Sequence, residues 1–234
     1  MEQKTKNIYE EGQVLLINKP LHWTSAEVTR KLRNLARAKT GHAGTLDPLA
    51  TGLLIICTGK FTKRINEFMA QEKEYTGSFT LGSITPTFDL ESKPENFKDF
   101  SHLTKEEIGM ATRQFTGTIM QTPPGHSAVK KGGRRAYELA REGKDPRLEP
   151  RQISIREFEI TSVELPTVYF RVVCSTGTYI RSLANDMGMA LGCGAHLSSL
   201  CRTRIGSFTL DQSMTMEEAE SVIRKNLGAN CKSE

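Results

Sequence analysis

The stretch Gly41-His42-Ala43-Gly44-Thr45-Leu46-Asp47-Pro48-Leu49-Ala50-Thr51-Gly52 constrains this chain more than any other. It holds three glycines, one histidine, one carboxylate and one proline, and it runs straight into Leu53-Leu54-Ile55-Ile56-Cys57. That apolar run reads as a buried strand. Glycine lets a backbone turn tightly or approach a ligand closely. Proline after Asp47 disfavours helical geometry there and holds the aspartate extended. Two readings of the loop follow: a hairpin connection with an Asx-type turn at Asp47, or a stiff loop that presents one carboxylate in one orientation beside a core strand.

The chain is long enough for one large domain or two small ones, at 234 residues and 37% hydrophobic content. No apolar stretch approaches the roughly 20 residues that cross a membrane. Met1 to Gly12 carries mixed charges without the apolar segment of a secretory signal. Five cysteines at irregular spacing argue against a disulfide framework and for reduced thiols in a cytoplasmic protein. The net charge of +5 is modest, but its distribution is uneven. Lys19, Arg30, Lys31, Arg33, Arg37 and Lys39 face one acid, Glu27, and a second basic cluster runs from Lys130 to Arg151. Arg202 and Arg204 add a third pair. Such segregation suggests a basic face for a phosphate backbone; the plainer alternative is charged helices solvating themselves.

Val14 to Ile17 reads as a short strand, and Thr24-Ser25-Ala26-Glu27 as a capping box opening a helix with Val28, Leu32 and Leu35 on one face. Phe61, Ile65, Phe68 and Met69 repeat at helical spacing. Tyr75 to Leu81 alternates as a half-buried strand, with Tyr75, Gly77, Phe79 and Leu81 on one side. Gly82 to Ser101 is polar, contains two prolines and reads as a long surface loop. Thr104 to Glu107 caps another helix running to about Phe115. Gln121 to Gly133 is loop-like, with a short helix after it at Tyr137. Strands are predicted over Ile153–Val163 and Val168–Cys174, and a helix from Thr178 to Met187. Ala195 to Phe208 reads as short and mixed, ending in a strand-like segment. A last helix opens at Thr215, with Met216, Ala219, Val222 and Ile223 inward. Strand-rich halves with helices between them predict an α+β domain around a largely antiparallel sheet.

Ordered motifs along nearly the whole chain resemble the bacterial TruB family of tRNA pseudouridine synthases. Lys19-Pro20 with Trp23-Thr24-Ser25 is similar to the family's first motif, and Gly41 to Gly52 to its aspartate signature. Lys73-Glu74-Tyr75 and Leu81-Gly82, with Thr85, Thr87 and Asp89, resemble the third. Pro123-Pro124, Ser127-Ala128, Lys130, Arg135, Tyr137 and Ala140 to Gly143 resemble a basic insert. Ser175 to Leu183 resembles the arginine motif, and Leu197 to Arg202 with Gly206 and Phe208 the final one. Asn18 departs from the family's usual aspartate, and His126 from its usual aromatic or large apolar residue.

The resemblance implies a pseudouridine synthase fold of one catalytic domain over residues 1–234, with a basic insert at about 120–150 and a C-terminal helix and tail at 209–234. It implies no PUA-type RNA-binding domain in the residues after Phe208. The implied reaction is isomerisation of the uridine at position 55, in the T-loop of tRNA. The base is flipped out of its stack, its C–N glycosidic bond is broken, and a C–C bond forms. Asp47, Tyr75 and Arg181 are the implied catalytic residues. Carboxylates form covalent intermediates at anomeric carbons in other enzymes; addition to the sugar, addition to the base and a glycal-type proton abstraction all stay open for Asp47. Arg181 suits an ionic partner of that carboxylate. Tyr75 suits stacking on the target base, or a core tyrosine with a bonded hydroxyl.

By motif, His42 fills the vacated stack, Tyr179 and Leu200 line the uracil pocket, and Lys19 supports the site or meets a phosphate. Lys130, Arg134 and Arg135 are expected on RNA phosphates. No metal or organic cofactor is implied: Cys193, His196 and Cys201 lack zinc-motif spacing, and Gly52 to Lys60 lacks the spacing of a nucleotide loop. The expected partner is the tRNA T-arm, with no membrane and no protein partner, and the chain is expected to act as a cytoplasmic monomer. Two rivals remain at this level: a non-catalytic tRNA-binding or folding module on the same scaffold, and a relative working in a guide-RNA particle.

Overall fold

The computed structural model of the protein describes residues 7–127 and 129–229. Residues 1–6 of the N-terminal segment, Ala128 of the Ser127-Ala128 pair and residues 230–234 of the predicted tail lie outside them. The elements in chain order begin with α1 (Ile8–Glu11), β1 (Val14–Lys19), α2 (Ser25–Ala36), β2 (Thr40–His42) and β3 (Ala50–Thr58). A 3₁₀ segment (Gly59–Arg64) leads into α3 (Ile65–Met69) and β4 (Lys73–Leu81). Then come α4 (Lys105–Ala111), β5 (Gly117–Gln121), β6 (Lys130–Lys131), β7 (Arg134–Arg135) and α5 (Ala136–Arg141). The chain continues through β8 (Arg151–Glu164), β9 (Thr167–Cys174), α6 (Ile180–Ala190), β10 (Ala195–Ile205), β11 (Phe208–Thr209) and α7 (Met216–Ala229). No helix among the described residues is long and apolar enough to cross a membrane.

Proximity of backbone positions divides the chain into two units, Met1–Lys73 with Cys201–Glu234 and Glu74–Leu200. In the first unit, β3 pairs antiparallel with β1 and with β2. The period of two explains why Leu53 to Cys57 is apolar throughout. Leu54 and Ile56 join Leu15 and Ile17 of β1 against Val28, Leu32, Ala219 and Ile223 of α2 and α7. Leu53, Ile55 and Cys57 point the other way, against Phe68 and Ile205. The strand is buried on both faces because a separate cluster covers each.

The second unit contains the antiparallel ladders β5–β8 and β8–β9. Phe170 stacks on Phe79 at 5.9 Å and meets Phe158 edge-on at 6.1 Å. Gly77 of β4 approaches β10 so closely that a Cβ there would lie 2.3 Å from the Ser199 carbonyl oxygen.

The helix starts follow the sequence. Thr24 and Glu27 form the reciprocal capping box, and so do Thr104 and Glu107. The strand predictions at Val14, Leu53, Tyr75, Ile153 and Val168 all fall within observed strands. Four expectations are corrected. The Gly41–Gly52 segment is not all loop, since β2 takes its first residues and β3 its last. Gly82 to Ser101 is not a surface loop along its whole length: Ser83, Thr85, Thr87 and Asp89 are buried, and the Ser83 hydroxyl lies 3.4 Å from the His196 Nδ1. Ala195 to Ile205 is one continuous strand, its serines bonded to Ser78 of β4. Val222 is 39% exposed, because the buried face of α7 is carried by Met216, Ala219 and Ile223.

Candidate active site

The loop between β2 and β3 is held from three sides, all within the first unit. Ser25, at the start of α2, donates its hydroxyl to the Leu46 carbonyl at 3.0 Å and accepts from the Leu46 N–H at 2.8 Å. Asp47 then opens a turn, its carbonyl accepting from the Ala50 N–H at 3.0 Å with Pro48 at the second position. Lys19, at the end of β1, is fully buried. Its ammonium donates to the carbonyls of Pro20 at 2.9 Å, Trp23 at 2.5 Å and Pro48 at 3.5 Å. Three acceptors meet three N–H donors.

Arg202 of β10 is also buried, and it donates to the carbonyls of Leu53 at 2.8 Å and Gly44 at 3.1 Å. Gly52 permits that approach: its φ is +100°, and a Cβ would sit 2.4 Å from the Arg202 carbonyl oxygen. Asp47 therefore sits half-exposed on a loop fastened by one hydroxyl, one ammonium and one guanidinium.

Burial pulls the Lys19 ammonium down to about 8, against the opposing pull of Asp47 and Glu27. Burial also lowers the His42 pKa, and the Arg202 charge adds to the effect. His42 is thereby neutral near pH 7, a flat uncharged ring at the end of β2, and its Nδ1 has no hydrogen-bond partner.

Tyr75, Arg181, Tyr179 and Leu200 all belong to the second unit. Tyr75 is buried on the inward face of β4, and Leu200 is half-buried on β10. Arg181, buried in the first turn of α6, donates to the carbonyls of Thr87 and His126, each at 3.0 Å. Its Nε lies 3.6 Å from the buried Asp89 carboxylate. Tyr179 precedes α6, and its backbone is held at both ends by one side chain. Gln121 accepts from the Tyr179 N–H at 2.8 Å and donates to its carbonyl at 3.0 Å. The Arg151 guanidinium lies 5.0 Å from the Tyr179 ring centroid.

The basic insert carries a short hairpin, β6 paired with β7. Gly132 and Gly133 turn it with φ of +59° and +83°, as a two-residue hairpin requires. Lys130 faces Arg135, and Lys131 faces Arg134. Arg134 is already paired with Glu142, while Arg135 lies over the Tyr137 ring. The third basic pair does not join a phosphate face: Arg202 is buried, and Arg204 is ion-paired with Glu72 at 3.0 Å.

Several supporting residues escaped the sequence reading. Ser25, Asp89 and Arg202 stood inside motif stretches, and Arg202 also in the third basic pair, with no signal that they support the site. Gln121 carries no signal of its own, because it acts on a backbone 58 positions along the chain.

The family model described as TruB family pseudouridylate synthase (N terminal domain) matches residues 30–180. That of the tRNA pseudouridylate synthase B C-terminal domain matches residues 181–229. A tRNA pseudouridine synthase B of Parabacteroides distasonis is 48% identical over 223 residues, covering 92% of this chain and 95% of the relative. The protein of the same name from Flavobacterium johnsoniae is 52% identical over 212 residues, covering 87% and 93%. Among solved structures, a chain of a Cbf5-Nop10-Gar1 complex aligns with a TM-score of 0.73 at 30% identity. The alignment covers 93% of this chain but spans only 56% of that one.

Proposed function

This chain belongs to the TruB family of pseudouridylate synthases, and on that premise we propose how its residues carry the reaction and where on tRNA they act. It isomerises uridine to pseudouridine in tRNA. The proposed target is the T-loop uridine at position 55. The overall change is balanced within the substrate: the C1′–N1 bond breaks, the detached uracil turns, and C1′ bonds to C5. The proton on C5 is lost and N1 gains one, so no oxidant, reductant or co-substrate enters.

The fastened Asp47 loop carries this reading. An isomerase of this kind needs one carboxylate in a fixed place, and Lys19, Ser25 and Arg202 remove the loop's freedom before substrate arrives. Asp47 is assigned the opening step as nucleophile or base. Tyr75 is assigned stacking on the uracil and acceptance of the C5 proton, and Arg181 the site's fixed positive charge. Tyr179 and Leu200 bound the uracil, His42 takes the space the flipped base leaves in the RNA stack, and Lys19 positions the loop from behind. Lys130, Arg134 and Arg135 contact T-arm phosphates. The enzyme works on the cytoplasmic tRNA pool as a monomer.

The test is incubation of an unmodified tRNA transcript with the wild type and with Asp47→Ala, followed by chemical mapping of pseudouridine at single-base resolution. The expected result is product at the T-loop uridine with the wild type and none above background with the variant. An active Asp47→Ala protein would remove the carboxylate from the mechanism; wild-type product at another uridine would remove the T-loop assignment.

A further inference from the structure

One cleft of the first unit lies outside every role assigned so far. It has a volume of about 380 Å³ and is lined by His22, Trp23, Glu27, Arg30, Lys31 and Asn34. That volume falls at the small end of the roughly 300–1,000 Å³ that ligand sites enclose. Its aromatic end is fastened to the catalytic loop. His22 holds a left-handed φ of +65°, uncommon for a residue with a Cβ, and its N–H donates to the Pro48 carbonyl at 2.8 Å. The Lys19 ammonium bonds the carbonyls of both Trp23 and Pro48. The strained turn thus places Trp23 one hydrogen-bonded step from the turn that Asp47 opens.

The lining combines the two features that recognise an unpaired nucleotide: a flat aromatic surface and nearby cations. Trp23 is half-buried, packed in part against the core cluster of α2 and α7. The Lys31 ammonium stands 5.8 Å from its ring centroid and pairs with Glu220 at 3.1 Å. Arg30 is exposed and forms no ion pair among the described residues. Glu27 is the one acid in the lining, and its carboxylate is occupied by the Thr24 N–H and hydroxyl, each at 2.8 Å.

We propose that this cleft binds a second unpaired nucleotide of the RNA, its base against Trp23 and His22 and its phosphate on Arg30, beside the uridine presented to Asp47. The proposal rests on the reading of the chain as a tRNA uridine isomerase. It adds a subsite that grips the loop at a neighbour of the target and so holds the target in register with the carboxylate.

Trp23 is the only tryptophan of the chain, so its fluorescence reports this cleft alone. The probe is an unmodified T-arm stem-loop RNA, together with a series in which each loop nucleotide except the target uridine is replaced in turn by an abasic residue. The proposal expects quenching by the intact RNA and loss of that quenching at one abasic position. The same position should raise KM about tenfold with kcat unchanged, as loss of one stacked base does. Trp23→Ala should raise KM similarly for intact RNA, and Trp23→Phe should restore it by keeping a stacking surface. Unchanged fluorescence at saturating RNA overturns the proposal, as does quenching that survives every abasic replacement. These measurements use wild-type protein, so a Trp23→Ala chain that fails to fold does not decide them. Pseudouridine mapping on the same samples reads the isomerase assignment separately: quenching that depends on one position without product would leave the subsite standing and the isomerase reading fallen.

Discussion

Lys19 shows how one buried residue can fasten a loop through backbone carbonyls alone. Folding moves its proton release from the ordinary 10.5 to about 8, because the ammonium is taken out of water. Between those two pH values the unfolded chain holds the proton that the folded chain has shed. Raising pH through that window therefore favours the folded state, by up to about tenfold in the folding constant per pH unit. Denaturant titrations across it should show the wild type gaining stability relative to Lys19→Met, and parallel curves would disprove the lowered value. The backbone restrictions of the loop were legible in the sequence, since Gly, Asp and Pro at that spacing leave it few choices, whereas a chemical role for Asp47 came from the family resemblance alone. The Lys19 hub was not legible, because its acceptors are backbone carbonyls, which every residue carries alike.

Elements were legible where their determinants are local. A capping box lies within four consecutive residues, and Thr215 with Glu218 at the start of α7 was read as readily as Thr24 with Glu27. β10 was not legible, because its polar residues are satisfied far away: Ser198 and Ser199 by Ser78, and Arg202 by Gly44 and Leu53. The hairpin of β6 and β7 sets cation opposite cation, an arrangement that costs stability unless an anion lies between or beside the pairs. Glu142 plays that part for Arg134; Arg134 and Lys144 together hold its carboxyl down to about 2. Glu142→Gln should free Arg134 and tighten tRNA binding at low salt about two- to fivefold, the worth of one exposed ion pair. Filter binding would measure it, and weaker binding would show that Glu142 serves the hairpin's shape instead.

At the scale of the molecule, the charge count overstates what RNA can use. Of 32 lysines and arginines, Lys19, Lys73, Arg181 and Arg202 are buried, and Arg171 and Arg204 are held by acids. The salt dependence of tRNA affinity should accordingly follow particular residues. Lys130→Gln and Arg135→Gln should each reduce the slope of log affinity against log salt by about 1. Arg204→Gln, inside its pair with Glu72, should leave the slope alone. Equal effects from all three would mean that binding senses only total charge.

The reach of Arg202 has a consequence for the chain in the course of its manufacture. Ser25 and Lys19 meet the loop between β2 and β3 across 21 and 29 positions, whereas Arg202 arrives from 158 positions beyond Gly44. Contacts so distant in sequence form late. On the ribosome the aspartate signature emerges early and waits, only partly anchored, until most of the protein has been translated. The loop therefore receives its last anchor near the end of synthesis, and a prematurely terminated product carries the signature without it.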